Sequence, residues 1–202
     1  MPYRDSFTAN ADVNPLFAAA LELQRFFEAR RWRFCFIGGL AVQRWGEPRL
    51  TLHVDCTLLT GSGHEPAYVD ALLAAFTARV DGPREFALTH RVLLLYGSSR
   101  VPLDIALGAM PFEERSVERA SSFDIGNGQS LLTCSAEDLI VFKAFAGRDR
   151  DWLDIDTIIL RQGEALDADA IARELIPLLE LKEDTEALPR LQRLLRTAGR
   201  HG

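Results

Sequence analysis

The segment Thr51-Leu52-His53-Val54-Asp55-Cys56-Thr57-Leu58-Leu59 constrains the fold more than any other, because polar and apolar residues alternate along it with the period of a β-strand. That period sends His53, Asp55 and Thr57 to one face and Leu52, Val54, Cys56 and Leu58 to the other. Such a strand needs neighbours at its sides, a core beneath it and a cleft above. A second apolar stretch, Val101-Pro102-Leu103-Asp104-Ile105-Ala106-Leu107, carries a single carboxylate. A buried carboxylate with no partner is costly enough that Asp104 needs a cation, a set of hydrogen-bond donors or an open cleft. A metal shared by Asp55 and Asp104 meets that need, and so does a strand-end position facing solvent or an arginine.

The remaining pattern supplies the neighbours. Pro15 opens a helical run through Phe27, and Phe34-Cys35-Phe36-Ile37 is a short buried strand that stops at Gly38-Gly39. Leu40 to Trp45 fits a short helix, broken at Gly46-Glu47-Pro48 before a strand from about Leu50 to Leu59. Helical periodicity runs from Glu65 to Val80, strands are expected over Thr89 to Tyr96 and Val101 to Leu107, and the four residues between those two strands suit a hairpin. Pro111 starts a charged helix, Phe123 to Leu132 is a further strand, and everything from Ser135 onward is helical in character. The fold class expected is α/β (α+β), a mixed β-sheet flanked by helices with a helical C-terminal part. The boundary falls near 133, giving a sheet domain over 1–133 and a helical part over 134–202 packed on it as one compact unit.

Composition narrows the setting. With 202 residues, 48% of them hydrophobic, the chain buries an ordinary core, and no apolar run approaches a membrane span. The start, Met-Pro-Tyr-Arg-Asp, lacks the apolar centre of a signal peptide, so a soluble cytoplasmic protein is expected. Cys35, Cys56 and Cys134 stand singly in apolar runs and read as buried thiols. A net charge of −6 argues against non-specific attraction to nucleic acid. The basic tail of Arg190, Arg193, Arg196 and Arg200 at helical spacing reads as a solvated helix face. His64 and His90 belong to no pattern.

Three blocks in order carry more than any one alone: Phe36-Ile37-Gly38-Gly39, then Arg49-Leu50-Thr51-Leu52-His53-Val54-Asp55, then Leu103-Asp104-Ile105. A glycine turn after a strand brings backbone amides against phosphates, and nearby acids can hold the accompanying cation. Together the blocks resemble the nucleotidyltransferase superfamily pattern of a glycine pair, two acids separated by one apolar residue, and a third acid on a neighbouring strand. The closer likeness is to bacterial nucleotidyltransferases related to the abortive-infection type IV toxins, where a later helical motif of the kind Glu137-Asp138-Leu139-Ile140 with Lys143, then Arg148, Asp151 and Asp154, is also expected.

The resemblance implies transfer of NMP from an NTP to a hydroxyl acceptor on a protein, a small molecule or an RNA end. Two magnesium ions would hold the triphosphate, and the third acid would help deprotonate the acceptor. It implies Asp55 and Asp104 as metal ligands, and Gly38, Gly39, Arg49, Thr51 and Lys143 as nucleotide-binding residues. A toxin–antitoxin or phage-defence setting with an antitoxin partner is implied as well. From the residues alone, Lys143 sits on a helix capped by Ser135 with Asp138 at its third position, and a solvated lysine there is an equal reading. Arg148, Asp151 and Asp154 read as an ion-pair network packing helices together.

One position departs from the family pattern. Thirteen residues separate Gly39 from His53 and fifteen separate it from Asp55, and the shorter spacing is the one the family uses for its first acid. His53 therefore stands where a carboxylate is expected; the other register puts Thr57 in the second position. Magnesium prefers hard oxygen ligands, and imidazole suits softer ions. The exchange also removes one negative charge from a cation site. Weaker binding of the shared ion, with lost transfer or a demand for manganese, is the expected result. Three readings of the chain follow: a nucleotidyltransferase impaired or altered at His53, an inactive member of the fold that binds nucleotide or a partner, and a mononuclear metal hydrolase built on His53, Asp55 and Asp104.

Overall fold

The computed structural model describes residues 14–198. Its first helix, α1 (Pro15–Ala29), begins where the Asn14 side chain accepts the Leu16 N–H at 2.9 Å, with Pro15 in the first turn. Leu16, Ala19, Ala20, Leu23 and Phe27 form its buried stripe. Strand β1 (Phe34–Phe36) is buried throughout, Phe34 and Phe36 joining the core on one side of the sheet and Cys35 the core on the other. Next come α2 (Gly38–Trp45), β2 (Val54–Leu59), α3 (Glu65–Leu73), β3 (Thr77–Ala78), α4 (Pro83–His90), β4 (Val92–Tyr96) and β5 (Pro102–Gly108). The chain continues through α5 (Pro111–Glu118), β6 (Ser121–Gly126) and β7 (Gln129–Thr133), then four helices, α6 (Ala136–Ala146), α7 (Asp149–Gln162), α8 (Ala168–Lys182) and α9 (Ala187–Ala198).

The seven strands lie in the order β3-β4-β5-β2-β1-β7-β6. The pairs β2/β5 and β1/β7 are parallel and the others antiparallel, so the sheet is mixed, as the sequence pattern implies. One face is filled by Val54, Cys56, Leu58, Leu103 and Ile105 against α1 and α3. On the other, α6 to α9 pack with Cys35, Ala41, Val42, Phe112 and Val117. No helix among the described residues is long and apolar enough to cross a membrane.

Four expected elements differ. The strand placed from Leu50 begins only at Val54, because its partner β5 starts at Pro102 and pairs first through Leu103 with Val54. Residues 50–53 therefore have no ladder to join, and Leu52, expected on the buried face, is 69% exposed. The helix expected from Glu65 to Val80 stops at Leu73, and the chain turns back as β3 along the sheet edge. The strand expected from Thr89 starts at Val92, since Pro83 opens a helix that runs through His90. The single strand over Phe123 to Leu132 is a hairpin, folded at Asn127 and Gly128, both at positive φ. The β4/β5 hairpin forms as expected.

Candidate active site

A cavity of about 470 Å³ opens where β2 and β5 run side by side beneath the start of α2. Asp55 and Asp104 are Cα partners in this parallel ladder, so both side chains leave the sheet on the same face. His53 lies just before β2, half-exposed, with Nε2 3.2 Å from Asp55 Oδ2. One ligand atom each from His53, Asp55 and Asp104 fall within 4.8 Å of one another. The hydrogen bond to Asp55 raises the His53 pKa, helped by Asp104, against the opposing pull of burial and of the nearby Arg79.

The glycine pair is required by this crossing. Gly38 opens α2 at φ +58°, and a Cβ there would overlap the Asp55 carboxylate; a Cβ on Gly39 would overlap the Thr51 hydroxyl. Thr51 Oγ1 is buried and has no hydrogen-bond partner among the described residues. Thr57, the second acid position in the other register, is fully buried with an equally unpartnered hydroxyl, and it is not part of the cavity wall.

The opposite wall comes from α6 and α7. Lys143 is buried rather than solvated, its Nζ 2.6 Å from Asp154 and 3.3 Å from Asp151. Arg49 grips Asp154 with Nε and Nη2 at 2.7 and 2.8 Å, and Arg148 reaches Asp151 at 2.7 Å. Burial would raise the Asp154 carboxyl, yet the hydrogen bonds from Arg49 and Lys143 hold it below its usual range. The network expected of Arg148, Asp151 and Asp154 thus exists, with Lys143 and Arg49 as its central cations. Ser135 caps α6, accepting the Asp138 N–H at 3.1 Å.

The eight residues that the resemblance assigns to the site, Gly38, Gly39, Arg49, Thr51, His53, Asp55, Asp104 and Lys143, line this one cavity, as do Arg148 and Asp151. Two cations missed in the sequence touch the cavity or one of its acids. Arg150 lines the cavity on the first turn of α7, and Arg79, just past β3, donates from Nη1 to Asp104 Oδ1 at 2.5 Å. Asp104 thereby meets an arginine, one of the outcomes open to a lone strand carboxylate. Away from the cavity, Arg190 lies over the Trp152 ring, Arg193 and Arg196 are exposed on α9, and Arg200 lies outside the described residues. His64 and His90 are exposed.

No protein-family model matches the chain, and no curated protein matches it in sequence. Solved structures do resemble it. The antigenic nucleotidyltransferase-like protein from Paracoccidioides brasiliensis is 16% identical with a TM-score of 0.50, the match covering 87% of this chain and 91% of that one. The antibiotic-resistance factor ANT(2'')-Ia is 13% identical with a TM-score of 0.51, covering 85% and 93%. The fold is nucleotidyltransferase-like. Identity at this level speaks for the fold alone, and one fold hosts many chemistries, so the function rests on the cavity itself.

Proposed function

We propose that the protein is a metal-dependent nucleotidyltransferase that moves NMP from an NTP to a hydroxyl acceptor in the cytoplasm. The observation that carries this reading is the convergence of His53, Asp55 and Asp104 on one point beside a glycine-opened helix and a wall of arginines. Two carboxylate oxygens and one imidazole nitrogen fit a single divalent cation, with manganese or a similar softer ion favoured over magnesium. When bound, that ion supplies charge neutralisation for the triphosphate and polarises the α-phosphate.

The chain's own groups do the rest. Arg49 commits Nε and Nη2 to Asp154, and Nη1, which makes one long 3.4 Å hydrogen bond to the Leu50 carbonyl, has a second N–H to offer a phosphate oxygen. The unpartnered Thr51 hydroxyl supplies another donor beside the Gly38-Gly39 backbone. Lys143 braces Arg49 through Asp154 and adds positive charge behind the phosphates. Asp104 takes the proton of the acceptor hydroxyl as its oxygen bonds to the α-phosphorus and the bond to pyrophosphate breaks.

A second reading is favoured by a specific observation: Asp55 and Asp104 each already hold a basic partner, His53 and Arg79. In that reading the protein binds a nucleotide or a protein partner without transfer, and the likeness to abortive-infection type IV toxins supports an antitoxin as the partner. The deciding experiment compares the unmodified chain with His53→Asp, using labelled NTPs, magnesium or manganese, and a cell extract as acceptor source. Transfer by the unmodified chain with manganese supports the enzyme. Label transfer only after the substitution marks a site disabled at one ligand, and no transfer by either supports the binding reading.

A further inference from the structure

The Asp104–Arg79 pair has a built geometry. Arg79 continues the edge strand β3, its backbone N–H donating to Leu94 O at 3.0 Å, and Leu94 is in turn the β4 partner of Asp104. Arg79, Leu94, Asp104 and Asp55 thus form a lateral row across four neighbouring strands. The Arg79 side chain spans the Leu94 position to reach Asp104, with no second carboxylate partner among the described residues. Both ends of the pair are partly open to solvent, 22% for Arg79 and 31% for Asp104, so exchange of partners disturbs no core.

We infer that Arg79 is a resident cation that a divalent metal must displace from Asp104, so that this side chain sets the protein's metal affinity; the inference rests on the metal site proposed above. Asp104 Oδ1 already accepts a hydrogen bond from a guanidinium that is always charged, and a metal arriving at the same carboxylate meets both an occupied oxygen and a like charge. An edge strand of two residues leaves the displaced side chain free to swing outward. The arrangement keeps two adjacent carboxylates compensated without a metal, at the expense of metal affinity.

The test is a manganese titration of the full chain, without nucleotide, read by electron paramagnetic resonance of the free ion. Arg79→Gln is expected to bind manganese about tenfold tighter than the unmodified chain, the scale on which a neighbouring opposite charge shifts a carboxylate's affinity for a cation. A gain of this kind cannot arise from damage to the fold. Arg150→Gln removes a cation that lines the cavity and does not touch Asp104, and is expected to change affinity less than about threefold, as a screened charge should. Asp104→Asn is expected to lose binding. Equal affinity in Arg79→Gln and the unmodified chain, with binding still lost in Asp104→Asn, overturns the role of Arg79 and leaves the proposed function standing. An equal gain in Arg150→Gln also overturns it, by assigning the effect to the general field. Absence of binding in every chain overturns both the inference and the metal-dependent reading.

Discussion

Asp55 and Asp104 sit directly opposite each other in the parallel ladder of β2 and β5. Two carboxylates held side by side repel unless a cation lies between them, so their spacing favours whatever positive group bridges both. Removing either one leaves a single weak ligand beside His53. Asp104→Ala and Asp55→Ala should each weaken manganese-dependent nucleotide binding by at least tens of fold, since even residues supporting a metal ligand cost about 10–100-fold when lost. Calorimetry with and without the metal measures this directly, and unchanged affinity in Asp104→Ala would show that the nucleotide binds elsewhere.

The glycine pair yields a stability prediction that does not depend on any activity. Ala at position 38 would have to hold a left-handed backbone and share space with the Asp55 carboxylate, and Ala at 39 would collide with the Thr51 side chain. Overpacking and backbone strain together should cost roughly 2–4 kcal/mol for Gly38→Ala. Gly39→Ala has a local remedy, because Thr51→Ala removes the nearest colliding atoms. Urea unfolding of the two single variants and the double should show the pair less destabilised than the sum. Strict additivity would mean that position 39 relaxes in some other direction.

The three thiols offer a chemical check on the core. Burial pushes Cys35 up to about 12, against a smaller opposing hydrogen bond from Ser116, and burial raises Cys56 and Cys134 well above the usual thiol range. All three side chains are fully buried. Thiolate is the reactive form, so none should react with a disulfide reagent in the native protein at pH 8, and all three should react in denaturant. Rapid labelling of a native thiol would place that cysteine outside the packed interior.

What the sequence revealed and what it hid have separate physical causes. Asp55, Asp104, Gly38 and Gly39 stood out because each breaks an apolar run at a strand or just after one, and the cavity gathers them with Arg49, Thr51 and Lys143. Arg79 gave no local sign. It lies 25 residues before Asp104, directly after a stretch, Ala74-Ala75-Phe76-Thr77-Ala78, whose composition continues the α3 pattern, and only the pairing of β3 with β4 turns it toward Asp104. The alternation places His53 on the Asp55 side, as the structure has it, although the strand begins only at Val54 and a loop, not a pleat, holds the imidazole there. The Asn127-Gly128 turn was readable by its residue types, and the apolar run around it masked the hairpin. The burial of Lys143 has no local sign in the sequence, since its carboxylate partners lie beyond the Gly147 break, on the next helix.

Those partners carry the last prediction. Asp154 is buried between Arg49 and Lys143, and its carboxyl is held below the ordinary range by their hydrogen bonds in spite of burial. Asp154→Asn leaves Arg49, Lys143 and Arg148 with one remaining acid, Asp151, and should destabilise the fold by about 3–5 kcal/mol near neutral pH, the usual cost of breaking a buried pair from one side. The pH dependence has a definite sign. A depressed folded-state value means that Asp154 contributes its full stability above the unfolded value of about 3.9, and loses it as pH falls through the lower folded value. The gap in unfolding free energy between the unmodified chain and Asp154→Asn should therefore hold constant from pH 7 to about 5 and narrow as pH falls below about 4. Denaturant midpoints across that range measure it, and a gap that widens in acid would mean that Arg49 and Lys143 do not depend on the Asp154 charge.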